Sequence, residues 1–176
     1  MGLLARTSKD GDDALRDALL DCHERIRHFA ALAVALGRRA DLAAGDVADA
    51  ARRIARYFGT SLPLHVRDEE DTLARALAGR EPDLDRALAT MASEHAQHAA
   101  PLAELLALTG ALAAEPARHA APAARLDAVA SALEADFAHH LAAEEAVVFP
   151  ALLRCLTPAE RDGCSPSCAR GAPSLA

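Results

Sequence analysis

The chain has 176 residues, 52% of them hydrophobic and 3% aromatic, with a formal net charge of −7. That length fits one domain, and that apolar fraction is enough for a sizeable core. Acidic and basic residues are interleaved, which excludes the basic footprint of a nucleic-acid binder, and no apolar run reaches the roughly 18 residues of a membrane span.

Alanine and leucine dominate the apolar fraction, Trp is absent and β-branched residues are sparse. This composition favours helix over sheet and predicts an all-α fold. The start, MGLLARTSKDGDD, has too short an apolar stretch for a signal peptide. Arg6 stands where a myristoylation signal needs Ser or Thr. The simplest expectation is a soluble cytoplasmic protein that meets neither nucleic acid nor membrane. Cys22, Cys155, Cys164 and Cys168 are then expected as thiols rather than as a disulfide framework.

Helix punctuation divides the chain. Residues 1–11 read as a flexible N-terminus. Asp12 or Asp13 caps a first helix that ends near Gly37. RADLAAGD is a loop, and Asp46 caps a second helix running to about Ala78, with Gly79 as its stop. Glu81-Pro82-Asp83 opens a third helix that fades near Gly110. AAEPARHAAP connects it to a fourth, from around Pro122 to Leu156, before Thr157-Pro158. Residues 12–156 thus predict an antiparallel up-down four-helix bundle with short connectors. Pro63 and Pro101 should each kink or break a helix, the second helix near Gly59. Residues 157–176, rich in Gly, Pro, Ser and Cys, read as a disordered tail.

Steps of three and four trace an apolar stripe on each helix. The second carries Phe58, Leu62, His65, Glu69 and Leu73. The fourth carries Leu133, Phe137, His140, Glu144, Val147 and Ala151. The third carries Leu84, Leu88, Met91, His95, His98 and Leu102. The first runs Leu15, Leu19, Cys22, Ile26, Phe29, Ala33 and Leu36, with His23 on its shoulder.

Each helix therefore places a histidine on or beside its apolar face, and two add a glutamate four residues on. A buried carboxylate without a partner costs several kcal/mol. Two of them with four imidazoles demand compensating charge, and a pair of divalent cations supplies it. The i, i+4 spacing sets each His and Glu on one face, a turn apart. A lone HxxxE is a weak signal. Two of them, with further inward histidines on the other helices, form a stronger one. The same residues also admit a metal-free, hydrogen-bonded core network.

At DCHERIR, LHVRDEEDTL, SEHAQH and HHLAAEEAVVFPAL the sequence resembles the hemerythrin-like family, also called the HHE cation-binding domain. The repeated H-x3-EE, His65 to Glu69-Glu70 and His140 to Glu144-Glu145, is the most specific part. The EEAVVFP close is similar to the family's usual ending, and the resemblance covers roughly residues 12 to 156. It implies a hemerythrin-like bundle around a di-iron centre with an oxo or hydroxo bridge. It implies His23, His65, His95 and His140 as terminal ligands and Glu69 and Glu144 as bridges. Open positions would then take O2, NO or peroxide. Sites of this kind also accept zinc or manganese.

One departure is clear. The oxygen carriers place H-x3-H on the third helix and H-x4-D on the fourth. Here Ala99 and Glu144 stand at those places, so the fifth histidine is missing, and His98 is the nearest substitute. The four-His, two-Glu set looks more like the family's nitrosative-stress and iron-sensing members. The expected function is binding of a diatomic ligand or peroxide for sensing, detoxification or stress response. The alternative is an iron-handling, storage or sensing protein without turnover of a small ligand. Weak peroxidase or oxidase activity would need an acid–base group, and Glu94 is the candidate. Glu70 and Glu145 read as solvated or supporting groups, His28 as largely off the stripe with His23 favoured over it, His139 as exposed, His119 as a connector residue without a role, and Tyr57 as packing.

Overall fold

The structure, a computed structural model, describes residues 14–39, 41–164 and 167, and every regular element among them is helical. In chain order these are α1 (Ala14–Arg38), α2 (residues 44–77), α3 (Pro82–Ala114), α4 (residues 123–155) and α5 (Pro158–Gly163). A 3₁₀ turn, Pro116–Arg118, joins α3 to α4. No helix among the described residues is long and apolar enough to cross a membrane.

Two of the long helices widen locally. In α2, Tyr57–Ser61 and Asp68–Leu73 are π-helical, and in α4 so is Glu144–Val148. Proline explains two of the three. A proline ring collides with the carbonyl four residues earlier in an α-helix. For Pro63 that residue is Gly59, and for Pro150 it is Ala146, and both lie inside a wide turn. The break expected near Gly59 is thus a widened turn that leaves α2 continuous. Pro101 lies inside α3, which runs on past Gly110 to Ala114.

Helix ends follow local chemistry with some corrections. Gly79, at φ 74°, closes α2, and its N–H donates to Asp85 Oδ1 at 2.8 Å. Ala43 rather than Asp46 occupies the N-cap of α2. Asp46 sits in the first turn, where its charge still suits the helix dipole. Gly37 does not end α1 but lies within it. A Cβ there would stand 2.5 Å from the backbone N of Asp127, so only glycine lets α1 approach α4 this closely. The caps expected at Asp12 or Asp13 lie outside the described residues, as does Cys168.

Residues 158–163, assigned to the tail by sequence, form α5. Thr157 Oγ1 accepts from Glu160 N at 3.3 Å, and Glu160 Oε2 accepts from Thr157 N at 2.7 Å, a reciprocal cap. Cys164, just beyond, is buried. Cys155 and Cys164 are free thiols, but Cys22 is disulfide-bonded, contrary to the expectation. That expectation rested on compartment, and cysteine spacing cannot say which sulfurs meet.

The core has two apolar clusters with a polar layer between them. One holds Ile26 and Phe29 of α1, Ile54 and Leu62 of α2, Leu105 of α3 and Leu133 of α4. The other holds Leu19 of α1, Leu73 and Leu77 of α2, Leu84 and Leu88 of α3 and Phe149 of α4. On every long helix a histidine separates the two: His23, His65, His95 and His140. α1 and α3 travel from the second cluster to the first, and α2 and α4 travel back. Each buried Leu or Phe contributes roughly 1.5–3 kcal/mol, so these layers can carry a polar one between them.

Candidate metal centre

Six side chains meet in that layer. α1 brings His23, α2 brings His65 and Glu69, α3 brings His95, and α4 brings His140 and Glu144. His65 and His140 lie on regular helix just before a π turn, and Glu69 and Glu144 lie inside one. Wide turns of this sort gather at functional sites because they re-aim side chains that a regular helix would turn away. In both pairs the histidine Nε2 is 3.2 Å from Oε1 of the glutamate four residues on.

Each carboxylate divides its two oxygens between two histidine pairs. Glu69 Oε1 lies 3.2 Å from His65 Nε2 and 3.7 Å from His23 Nε2, and its Oε2 lies 3.4 Å from His95 Nε2. Glu144 Oε2 lies 3.3 Å from His23 Nε2, and its Oε1 faces His140. The result is two groups of possible ligands that share both glutamates. One is His23, His65, Glu69 and Glu144; the other is Glu69, His95, His140 and Glu144. Within each, the ligand atoms lie within 4.8 Å of one another.

Among these atoms His95 Nε2 and His140 Nε2 lie within hydrogen-bond distance of each other, at 3.0 Å, and the rest do not satisfy one another. His23 Nε2, both ring nitrogens of His65 and all four oxygens of Glu69 and Glu144 are buried without a hydrogen-bond partner. A buried polar atom left in this state costs about 1–3 kcal/mol, more if charged. A metal-free core network, the rival reading of these residues, would leave those seven atoms of His23, His65, Glu69 and Glu144 unsatisfied. Nitrogen and oxygen atoms that converge in this way fit a borderline divalent cation.

A further set of carboxylates holds the rings in place. Glu145 Oε1 accepts from His23 Nδ1 at 2.8 Å, Glu70 Oε1 from His95 Nδ1 at 2.9 Å, and Glu94 Oε2 from His140 Nδ1 at 2.7 Å. Each such bond commits the proton to Nδ1 and leaves the Nε2 lone pair facing inward. Sequence reasoning left these three as solvated or ambiguous groups. Their signal was adjacency: each stands next to a residue of the inner six and reaches a histidine on another helix. His65 is the exception, since its Nδ1 has no such partner.

The electrostatics show a deficit of positive charge. Burial opposes protonation of His23 and of His95, yet the neighbouring carboxylates outweigh it and raise both to about 9. For His23 these are Glu144 and Glu69; for His95 they are chiefly Glu69 and Glu70. His65 is lowered to about 4 by burial. Burial would also raise Glu69, but His65, His23 and His95 hold it well below the usual carboxylate range. Burial and the charge of Glu69 push Glu144 up. One carboxylate is kept ionised while its neighbour resists ionising, a conflict that a bound cation removes.

The remaining sequence candidates separate clearly. His28 and His139 are exposed. His119 is not idle: it is buried, and its Nε2 meets the Leu36 carbonyl at 2.7 Å, pinning the connector to the end of α1. Tyr57 stacks on Phe29 with centroids 4.2 Å apart. His98 is buried beside His140, ring centroids 5.4 Å apart, but belongs to neither group of four. Val147, placed on the core stripe, is 41% exposed, and Val148 is buried instead. The π turn over Glu144–Val148 adds about one residue to the turn, which moves the inward face on by one.

Among known families, residues 14–152 match the model described as the hemerythrin HHE cation binding domain. No curated protein and no solved structure matches the chain.

Proposed function

The chain belongs to the hemerythrin HHE cation-binding domain family, and on that premise we propose that it is a non-haem di-iron protein that binds O2, NO or peroxide. In this reading the four long helices form an antiparallel up-down bundle. Its support is the order of the two apolar clusters along them, which reverses from each helix to the next. The observation that carries the functional reading is the sharing of Glu69 and Glu144, whose four buried oxygens have no hydrogen-bond partner, between two groups of possible ligands.

His23 and His65 would hold one cation, and His95 and His140 the other. Glu69 and Glu144 would be shared, each with one oxygen turned to either side. Two irons held this way supply redox-active centres with coordination positions left over for a small ligand. The chain's own contribution is orientation and exclusion. Glu145, Glu70 and Glu94 hold the Nδ1 protons, so that Nε2 stays available. A cavity of about 30 Å³ lies against His65, His95 and His140, with Leu62, Phe137 and Leu141 in its wall. That volume admits a ligand of a few atoms and suits a diatomic or peroxide better than a larger substrate.

The test is anaerobic loading with Fe(II), followed by O2, NO or peroxide, with the absorption spectrum recorded throughout. A spectral change with each ligand that binds is expected. Iron retained with no change for any of them would leave the metal centre standing but overturn the small-ligand role in favour of iron handling.

A further inference from the structure

Three of the four inner histidines have their outer nitrogen committed. Glu145, Glu70 and Glu94 accept from Nδ1 of His23, His95 and His140. His65 departs from this pattern. It is 2% exposed, and neither of its ring nitrogens has a hydrogen-bond partner. Its Nε2 is turned to Glu69, at 3.2 Å, and a shared cation accounts for that atom. Nothing of the kind accounts for Nδ1. With Nε2 on a metal, the proton of the neutral ring stands on Nδ1, so the atom left over is a buried donor. A buried donor without an acceptor calls for an explanation.

The ring of His65 borders empty space. It lines the cavity of about 30 Å³, as His95 and His140 do. Much of the remaining wall is apolar, with Leu62 and Val66 of α2 and Phe137 of α4, and among the described residues no carboxylate lines it. His95 and His140 have given their Nδ1 protons to Glu70 and Glu94. His98, also in the wall, has no nitrogen that is both buried and unpartnered. Among the histidines of this cavity, His65 alone has such a nitrogen. A water molecule would fit here but would be poorly held. About 10–15 Å³ suffices for one, yet a buried water needs two to four polar partners, and His65 offers one. A ligand fixed by the cations at one end needs only one contact more at the other.

We propose that His65 Nδ1 donates a hydrogen bond to the small ligand seated in this cavity, and that the cavity thereby selects small anions, the class of azide and peroxide, over neutral molecules of the same size. The inference rests on the reading that the inner six residues hold cations and that a small ligand joins them. His65 then serves through two atoms: Nε2 holds a cation, and Nδ1 holds the far end of the ligand. The selectivity follows from charge. A hydrogen bond to an ionised acceptor is about twice as strong as one to a neutral acceptor. In a largely apolar pocket without a carboxylate, little competes for the donor and no negative wall repels the anion.

Azide is the probe, because its stretching vibration responds to hydrogen bonding. The full-length chain is loaded with iron, oxidised in air, freed of excess metal and titrated with azide. Infrared spectra of the bound azide are then recorded in H2O and in D2O. A second sample carries Nδ1-methylhistidine in place of His65, which keeps Nε2 for the metal and removes the donor. In wild type the azide stretch is expected to shift between the two solvents. The methylated chain is expected to keep its iron, to show no solvent shift and to bind azide about tenfold or more weakly, the scale of one hydrogen bond to a charged group. Val66→Ala in the methylated chain makes room for the added methyl group and is expected not to restore affinity.

A wild-type azide stretch that is the same in H2O and D2O would overturn the proposal, whatever the methylated chain does. So would an equal solvent shift in the methylated chain, or affinity restored by Val66→Ala. Wild type that retains iron but binds no azide, O2, NO or peroxide would overturn the small-ligand reading beneath the proposal. Wild type that retains no iron would overturn the metal centre itself, so the three failures are distinguishable.

Discussion

Glu145 of α4 accepts the Nδ1 proton of His23 on α1 at 2.8 Å, and the same oxygen takes a second bond from Arg27 at 2.7 Å. One carboxylate thus ties α1 to α4 and sets which nitrogen of His23 faces the interior. Glu145→Ala should keep the metal stoichiometry but weaken affinity by about 10–100-fold, the usual cost of losing a group that orients a ligand. Chelator competition measures this. Unchanged affinity would show that the bond orients nothing.

Proton competition sets the pH dependence. His23 and His95 stand near 9 in the metal-free protein, so below that pH each ring holds a proton that a cation must displace. Apparent affinity should therefore rise with pH up to about 9 and level off above it. Chelator competition across that range, with proton release followed by an indicator dye, checks the sign. Affinity that stays flat up to about 9 would contradict it.

The wide turn in α4 makes Val147 and Val148 unequal. Val148 is buried beside Phe149, whereas Val147 is exposed. Val148→Ala should cost roughly 2 kcal/mol, from the loss of two buried methyl groups and the cavity left behind. Val147→Ala should lie within about 0.5 kcal/mol of wild type. Chemical denaturation of both variants decides it. Equal losses would mean that α4 keeps a regular helical register through Glu144.

Gly37 marks the closest approach of α1 to α4. A methyl group there meets the Asp127 backbone at 2.5 Å, and backbone cannot step aside as a flexible side chain can. Gly37→Ala should destabilise the fold by roughly 1–3 kcal/mol, despite alanine's better helix propensity. A thermal melt no lower than wild type would contradict the packing described.

Much of this was legible in the sequence, for a definite reason. Helical periodicity is a short-range property, so steps of three and four brought His65, Glu69, His140 and Glu144 to inward faces without any knowledge of the fold. The gathering of all six side chains followed from the helices having nowhere else to bury those faces. What periodicity cannot carry is a change of period. The π turn at Glu144 moved the stripe by one residue, and Val147 was read as core in place of Val148. Contacts across helices were hidden too. Glu70, Glu94 and Glu145 look solvated along their own helices, and only the packing of neighbours brings them to His95, His140 and His23. His119 reaching the Leu36 carbonyl and Gly37 resting on Asp127 are likewise facts of tertiary approach.

The central claim is that Glu69 and Glu144 each serve two cations, and metal content per chain tests it most directly. Wild type, Glu69→Ala and Glu70→Ala are loaded with Fe(II) under identical conditions, freed of excess and assayed for iron. Glu69 turns one oxygen to each histidine pair, whereas Glu70 only orients His95. The account predicts two irons per chain in wild type, the same number bound more weakly in Glu70→Ala, and loss of the paired centre in Glu69→Ala. Equal iron content in the two variants, or a wild-type chain that holds no more than one iron, would contradict it.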